Sequence, residues 1–152
     1  MKRIRIYADT SVFGGCFDEE FLKESRKLFL EIKNRKFDLV VSEATLRELE
    51  QAPHDVRQLL LELPRENMEI VRLSEEIENL RDAYISTGVV GPACILDAEH
   101  IAAASVADVD IIVSWNFKHI VHFEKIRGYH AVNIFRGYHA IPIHSPREVI
   151  EL

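Results

Sequence analysis

Short apolar runs alternate with helix-patterned stretches along this chain, and that alternation limits its fold more than any other feature. Residues 111–114 read Ile-Ile-Val-Ser, an apolar run of the kind buried on both faces of a parallel sheet. Residues 3–8 alternate and are rich in Ile and Tyr, which predicts a first strand ending at Asp9. Residues 37–41, 69–73 and 140–143 supply three further strand patterns. Between them, Phe21, Leu22, Leu28, Phe29 and Ile32 recur at helical spacing within 19–34. Ser42 heads a second helix that stops near Pro53, and residues 55–63 form a third that Pro64 ends. Ser74 starts another, with Glu75 and Glu76 in its first turn where the helix dipole favours negative charge. The alanine-rich stretch 95–107 and residues 117–136 are helical in pattern, and Pro146 opens a short last helix. Gly14 and Gly15 read as a turn, and residues 88–92 as a loop.

Strands alternating with helices predict an α/β fold with a central parallel sheet covered by helices on both faces, a three-layer α/β/α arrangement. At 152 residues, 47% hydrophobic and 29% charged, the chain fits one domain spanning residues 1–152, since two domains would each be too small. Ligand chemistry in such sheets gathers beyond the carboxyl ends of the strands.

A formal charge of −6 argues against a general nucleic-acid coating protein, because nonspecific affinity comes from Lys and Arg neutralising phosphates. A divalent-cation site is compatible with that charge, since it concentrates carboxylates and the metal then meets the phosphate. No run approaches the roughly 20 apolar residues of a membrane span, and the first residues enter a strand pattern rather than a signal-peptide core, so a cytoplasmic location is expected. Cys16 and Cys94 sit in no CxxC or Cys/His pattern and read as buried free thiols. No glycine-rich phosphate loop or GxSxG elbow is present. His100, His119 and His122 read as surface or packing residues.

Four oxygen-bearing residues remain as candidates. Asp9 and Asn116 follow strands at their carboxyl ends, Asp97 stands near the start of the alanine-rich helix, and Glu48 lies in the helix after the second strand. Hard divalent cations take such oxygen ligands. Each residue also has a plainer role: Asp9 as a cap or turn former, Asp97 as a favourable charge at a helix start, Glu48 as one of several helix acids beside Glu43 and Glu50.

The motifs YADTSVF at 7–13, SEATLRELE at 42–50, ILDAEHIAAA at 95–104 and IIVSWNFKHI at 111–120 together resemble the PIN-domain family, especially the toxin ribonucleases of VapBC-type toxin–antitoxin pairs. The tail, with Asn133, Gly137 and IPIHSPREVIEL, is similar to the ending of that group. The resemblance implies strand order 3-2-1-4-5 and a metal-dependent ribonuclease. Asp9, Glu48 and Asp97 would hold Mg²⁺ or Mn²⁺, with Ser11 as a supporting hydroxyl and Asn116 at the fourth position. Glu43 competes with Glu48 for the glutamate role. Many relatives carry aspartate where Asn116 stands, which implies a weaker second metal position and leaves a catalytically weak or inactive RNA- or protein-binding module as the alternative. Asp110, at the other end of its strand, reads as structural. RNA as substrate, a cognate antitoxin and a homodimer are likewise implied by the resemblance, with Arg47, Lys118 and Arg136 as candidate phosphate contacts.

Overall fold

A computed structural model describes residues 2–152. Strands β1 (Ile4–Ala8), β2 (Phe37–Ser42), β3 (Met68–Val71), β4 (Ile111–Val113) and β5 (Ile143–His144) pair in parallel in the order β3-β2-β1-β4-β5. The helices are α1 (Thr10–Gly15), α2 (Leu22–Lys33), α3 (Glu43–Glu50), α4 (His54–Leu61), α5 (Glu75–Ser86), α6 (Ile95–Val106), α7 (Phe123–Phe135) and α8 (Pro146–Val149). No helix among the described residues is long and apolar enough to cross a membrane.

Neighbouring strand residues point to opposite faces, and here they divide cleanly between two cores. Ile6, Ala8, Leu39, Val41 and Val113 pack with Phe13, Leu28, Phe29, Ile32, Leu49 and Val149. Tyr7, Val40 and Ile112 pack on the other side with Ile77, Leu80, Tyr84, Ile101, Tyr129 and Val132. The sheet therefore lies between α1, α2, α3, α4 and α8 on one face and α5, α6 and α7 on the other. Helix α6 is buried along its whole run from Ala98 to Ser105, because its alanines let it press between the sheet and α5. That close approach brings its first turns against the carboxyl end of β1.

Three expectations need correction. Gly14 and Gly15 form no turn; they end α1. A Cβ at Gly15 would lie 2.5 Å from Ser25 Oγ and 2.7 Å from Trp115 Nε1, so glycine is required there for the Trp115 indole to reach Ser25. Residues 117–122 are not helical. The Asn116 side-chain oxygen accepts the N–H groups of Lys118 at 3.2 Å and His119 at 2.9 Å, folding a compact turn, and α7 starts only at Phe123. The last strand begins at Ile143, because residues before it close the end of α7. Asn133 donates to the carbonyl of His139 at 2.9 Å, and His130 Nε2 to that of Ile141 at 2.7 Å.

Candidate metal centre

Asp9 is the first residue beyond β1, and its N–H extends the pairing with β4 by donating to the Val113 carbonyl at 3.3 Å. That alignment sets it beside Ser114. Each Asp9 carboxylate oxygen receives one hydroxyl: Ser11 Oγ donates to Oδ1 at 2.6 Å and Ser114 Oγ to Oδ2 at 2.8 Å. The hydroxyls are in turn fixed by backbone, since Trp115 N–H donates to Ser11 Oγ and Asn116 N–H to Ser114 Oγ, both at 2.9 Å. Asp9 is 4% exposed. Burial pushes its carboxyl above the usual 3.8, with the positive charge of His100 and the two hydroxyls working the other way.

Glu48 comes from α3 and reaches α1, where Thr10 Oγ1 donates to its Oε1 at 2.7 Å. The same oxygen lies 2.5 Å from His100 Nε2, and a carboxylate only accepts, so Nε2 carries the hydrogen. His100 Nδ1 is 2.6 Å from the Tyr7 hydroxyl, which is 2.6 Å from Ser42 Oγ. Burial alone would lower the imidazole, but the Tyr7 oxygen, Glu48 and Asp9 more than reverse this and carry it up to about 10. With both ring nitrogens protonated, as the raised value favours, His100 donates to Glu48 and to the Tyr7 oxygen, which leaves the Tyr7 hydroxyl to donate to Ser42 Oγ. Burial works upward on Glu48 as well, yet the hydrogen bond and charge of His100, with Thr10 and Arg47, hold its carboxyl below 4.5.

Asp97 lies in the first turn of α6 and is half-buried. Its Oδ1 accepts from Asn116 Nδ2 at 3.2 Å. Burial raises its carboxyl above 3.8, opposed by His100 and His119 and reinforced by the charge of Glu48. Glu48 repels Asp9 in the same way. The three carboxylates thus share one field, centred on the buried imidazolium of His100, although they do not close to within 4.8 Å of one another as a three-ligand group. Their donor set is all oxygen, each carboxylate is oriented by a hydrogen-bond donor, and positive charge is scarce; these properties fit a hard divalent cation.

The other sequence candidates separate clearly. Asn116 spends its oxygen on the 117–120 turn and its amide on Asp97, so it orients an acid. Glu43 turns toward β3 and accepts from the Leu73 N–H at 3.3 Å. Asp110 binds the Arg5 N–H at 2.8 Å at the opposite end of the sheet. Arg47 is held by the buried Glu99 at 2.5 Å, together with Arg81 at 3.1 Å, which ties α3, α5 and α6 together. Arg136 lines a cavity with Glu76, Asn79, Leu80 and Tyr138, none of which belongs to the acidic cleft. Lys118 is exposed in the turn beside Asn116.

His100 is a packing residue in being 2% exposed, but the expectation missed that its ring links Tyr7 to Glu48 inside the cleft. Its position three residues after Asp97 on a helix was the available signal, since that spacing places both on one face. Tyr7, Thr10 and Ser114 also belong to the site, and the period-two alternation of β1 could have singled out Tyr7 as sharing a face with Asp9.

Compared by sequence, the chain matches no protein-family model and no curated protein. Compared by structure, it is similar to a toxin–antitoxin complex from Klebsiella pneumoniae, at 17% identity over 75% of this chain and 88% of that one, with a TM-score of 0.56. It is similar also to VapBC2 from Rickettsia felis bound to a DNA fragment from their promoter, at 15% identity over 93% of this chain and 98% of that one, with a TM-score of 0.54. A third similar structure is FitAcB from Neisseria gonorrhoeae, at 13% identity over the same shares, 93% and 98%, with a TM-score of 0.57. Five parallel strands in the order 3-2-1-4-5 between helical layers, together with the structural similarity to chains of these toxin–antitoxin assemblies, give this protein the PIN-like α/β/α fold.

Proposed function

We propose that the protein is a Mg²⁺- or Mn²⁺-dependent endoribonuclease, the toxin of a type II toxin–antitoxin pair. What supports this reading is that Asp9, Glu48 and Asp97, carried by three separate elements, lie near enough for the charge of Glu48 to act on both aspartates and that of His100 on all three. Two of the three acids are pushed up by burial, with the charge of Glu48 adding to it. Such crowding is unfavourable for a purely structural cluster and is relieved by a cation. When bound, the ion supplies positive charge facing the phosphodiester and a more acidic water.

The chain's own residues prepare that chemistry. Ser11 and Ser114 aim Asp9 and oppose the rise that burial imposes on its carboxyl, Thr10 and His100 orient Glu48, and Asn116 holds Asp97. His100 is the counter-charge that makes the cleft tolerable before metal arrives. The similar structures are toxin–antitoxin complexes, which supports a small antitoxin as the partner that covers the cleft and presents a basic side chain to its acids. A second copy of the chain is the further expected partner.

The reading is tested by cleavage of single-stranded and structured RNA in Mg²⁺ or Mn²⁺, comparing wild type with Asp9→Asn, Glu48→Gln and Asp97→Asn. Loss of cleavage in all three supports it; activity equal to wild type in Asp9→Asn removes it. The non-catalytic alternative draws on one observation, that Glu48 Oε1 already has two donors. It predicts that calorimetry with Mn²⁺ gives no carboxylate-dependent heat.

A further inference from the structure

We propose that Cys94, Asp97 and His119 form a site for a borderline-soft divalent metal, Zn²⁺ foremost, at the rim of the acidic cleft, and that an ion held there withdraws Asp97 from the Mg²⁺ or Mn²⁺ set. The first half stands on geometry alone, whereas the second rests on the nuclease reading.

Cys94 caps α6 and Asp97 follows three residues later, so both project from one side of its first turn. His119 arrives from the turn after β4. Its backbone is held at both ends, the N–H by Asn116 Oδ1 at 2.9 Å and the carbonyl by the Tyr129 hydroxyl at 2.8 Å. Asn116 also grips Asp97, so a single side chain fixes two of the three ligands relative to each other. One ligand atom from each residue, sulfur, nitrogen and oxygen, lies within 4.8 Å of the other two, and all three residues are half-buried. Ligands on a tetrahedral zinc, with bonds of about 2.0–2.3 Å, sit roughly 3.5 Å apart, so small side-chain rotations suffice to close the set.

The donor types choose the metal. A thiolate and an imidazole select Zn²⁺ over Mg²⁺, which demands oxygen. Three protein ligands leave a fourth position for water or another group. Coordination requires the Cys94 thiol to release its proton to solvent. Cys16 offers an internal control, because it is buried on the other face of the sheet, where burial pushes its thiol up to about 12.

The test is titration of the reduced full chain with Co²⁺, a spectroscopic substitute for zinc, with Zn²⁺ then added to displace it. Wild type and Cys16→Ser are expected to develop thiolate-to-cobalt charge-transfer and tetrahedral visible bands at one equivalent, and to keep them in excess Mg²⁺. Cys94→Ser and His119→Gln are expected to lose them. A second measurement, on wild type alone, is the alkylation rate of Cys94, expected to fall at least tenfold with Zn²⁺. Absence of the charge-transfer band in wild type, or its survival in Cys94→Ser, overturns the site. For the second half, RNA cleavage in Mg²⁺ is measured with and without Zn²⁺, each variant normalised to its own zinc-free rate. Inhibition of wild type that is lost in Cys94→Ser supports the competition, and unaffected cleavage by a protein whose cobalt spectrum proves occupancy overturns it. A wild type that cleaves no RNA at all counts against the nuclease reading and leaves the cobalt result standing.

Discussion

At the amino-terminal edge of the sheet charges are closed into pairs, whereas at the carboxyl-terminal edge they are left in excess. Arg5 binds Glu69 at 2.9 Å and the carbonyls of Ala107 and Asp108 at 3.1 and 3.2 Å, while its N–H meets Asp110 at 2.8 Å. Beside it Arg3 pairs with Asp38 at 2.8 Å. At the opposite edge Asp9, Glu48 and Asp97 have hydroxyls, one amide and a single imidazolium among them. The same sheet thus carries one edge whose charges are paired and another whose acids outnumber the cations beside them.

On the proposed nuclease reading, the largest effect that separates the edges is catalytic. Asp9→Asn is expected to lower RNA cleavage by about 1,000-fold, since altering even the outer partners of a metal ligand costs about 10–100-fold. Its thermal midpoint should hold or rise, because a buried charge disappears; a lowered midpoint with activity intact would break the comparison. Next, His100→Gln removes the cation from the cleft and leaves Glu48 and Tyr7 mismatched. A loss of about 3 kcal/mol is expected in denaturant unfolding. Mg²⁺ or Mn²⁺ at ten times its dissociation constant should add about 1.4 kcal/mol to wild type and nothing to Asp9→Asn. At the closed edge, Arg5→Met is expected to cost about 1 kcal/mol and leave cleavage unchanged.

Stability against pH sharpens the contrast further. Asp9 and Asp97 are held above 3.8, so the native state keeps protons that the unfolded chain has released, and stability falls as pH rises from 3.8 through their folded values. His100 adds a second decline. Its contribution is complete below 6.5 and is lost as pH climbs toward about 10. Chemical denaturation of the metal-free protein across this range should show both slopes, and His100→Gln should flatten the second.

Much of this architecture was legible without coordinates. The run of Ile and Val at 111–113 and the alternation in β1 mark strands because both patterns are local, and the prolines at 64 and 146 mark helix boundaries for the same reason. Asp9 and Asn116 could be placed at the carboxyl ends of strands, and Asp97 at the start of a helix, from pattern alone. The turn after Asn116 was missed because a side chain, not the backbone pattern, organises it, and Gly15 was misread because its reason is an indole arriving from residue 115.

The sequence by itself determined the class of fold, the order of its elements and the candidate acids, since these depend on periodicity and on residues adjacent in the chain. Only the tertiary structure decided the state of those acids: the hydroxyl from Ser114 on Asp9, the imidazolium between Tyr7 and Glu48, the capture of Arg47 by Glu99, and the meeting of Cys94, Asp97 and His119. The physical reason is that charge, burial and proton affinity depend on which groups packing brings within a few ångströms, and the Ser114 and Asp9 partners are separated by 105 positions along the chain.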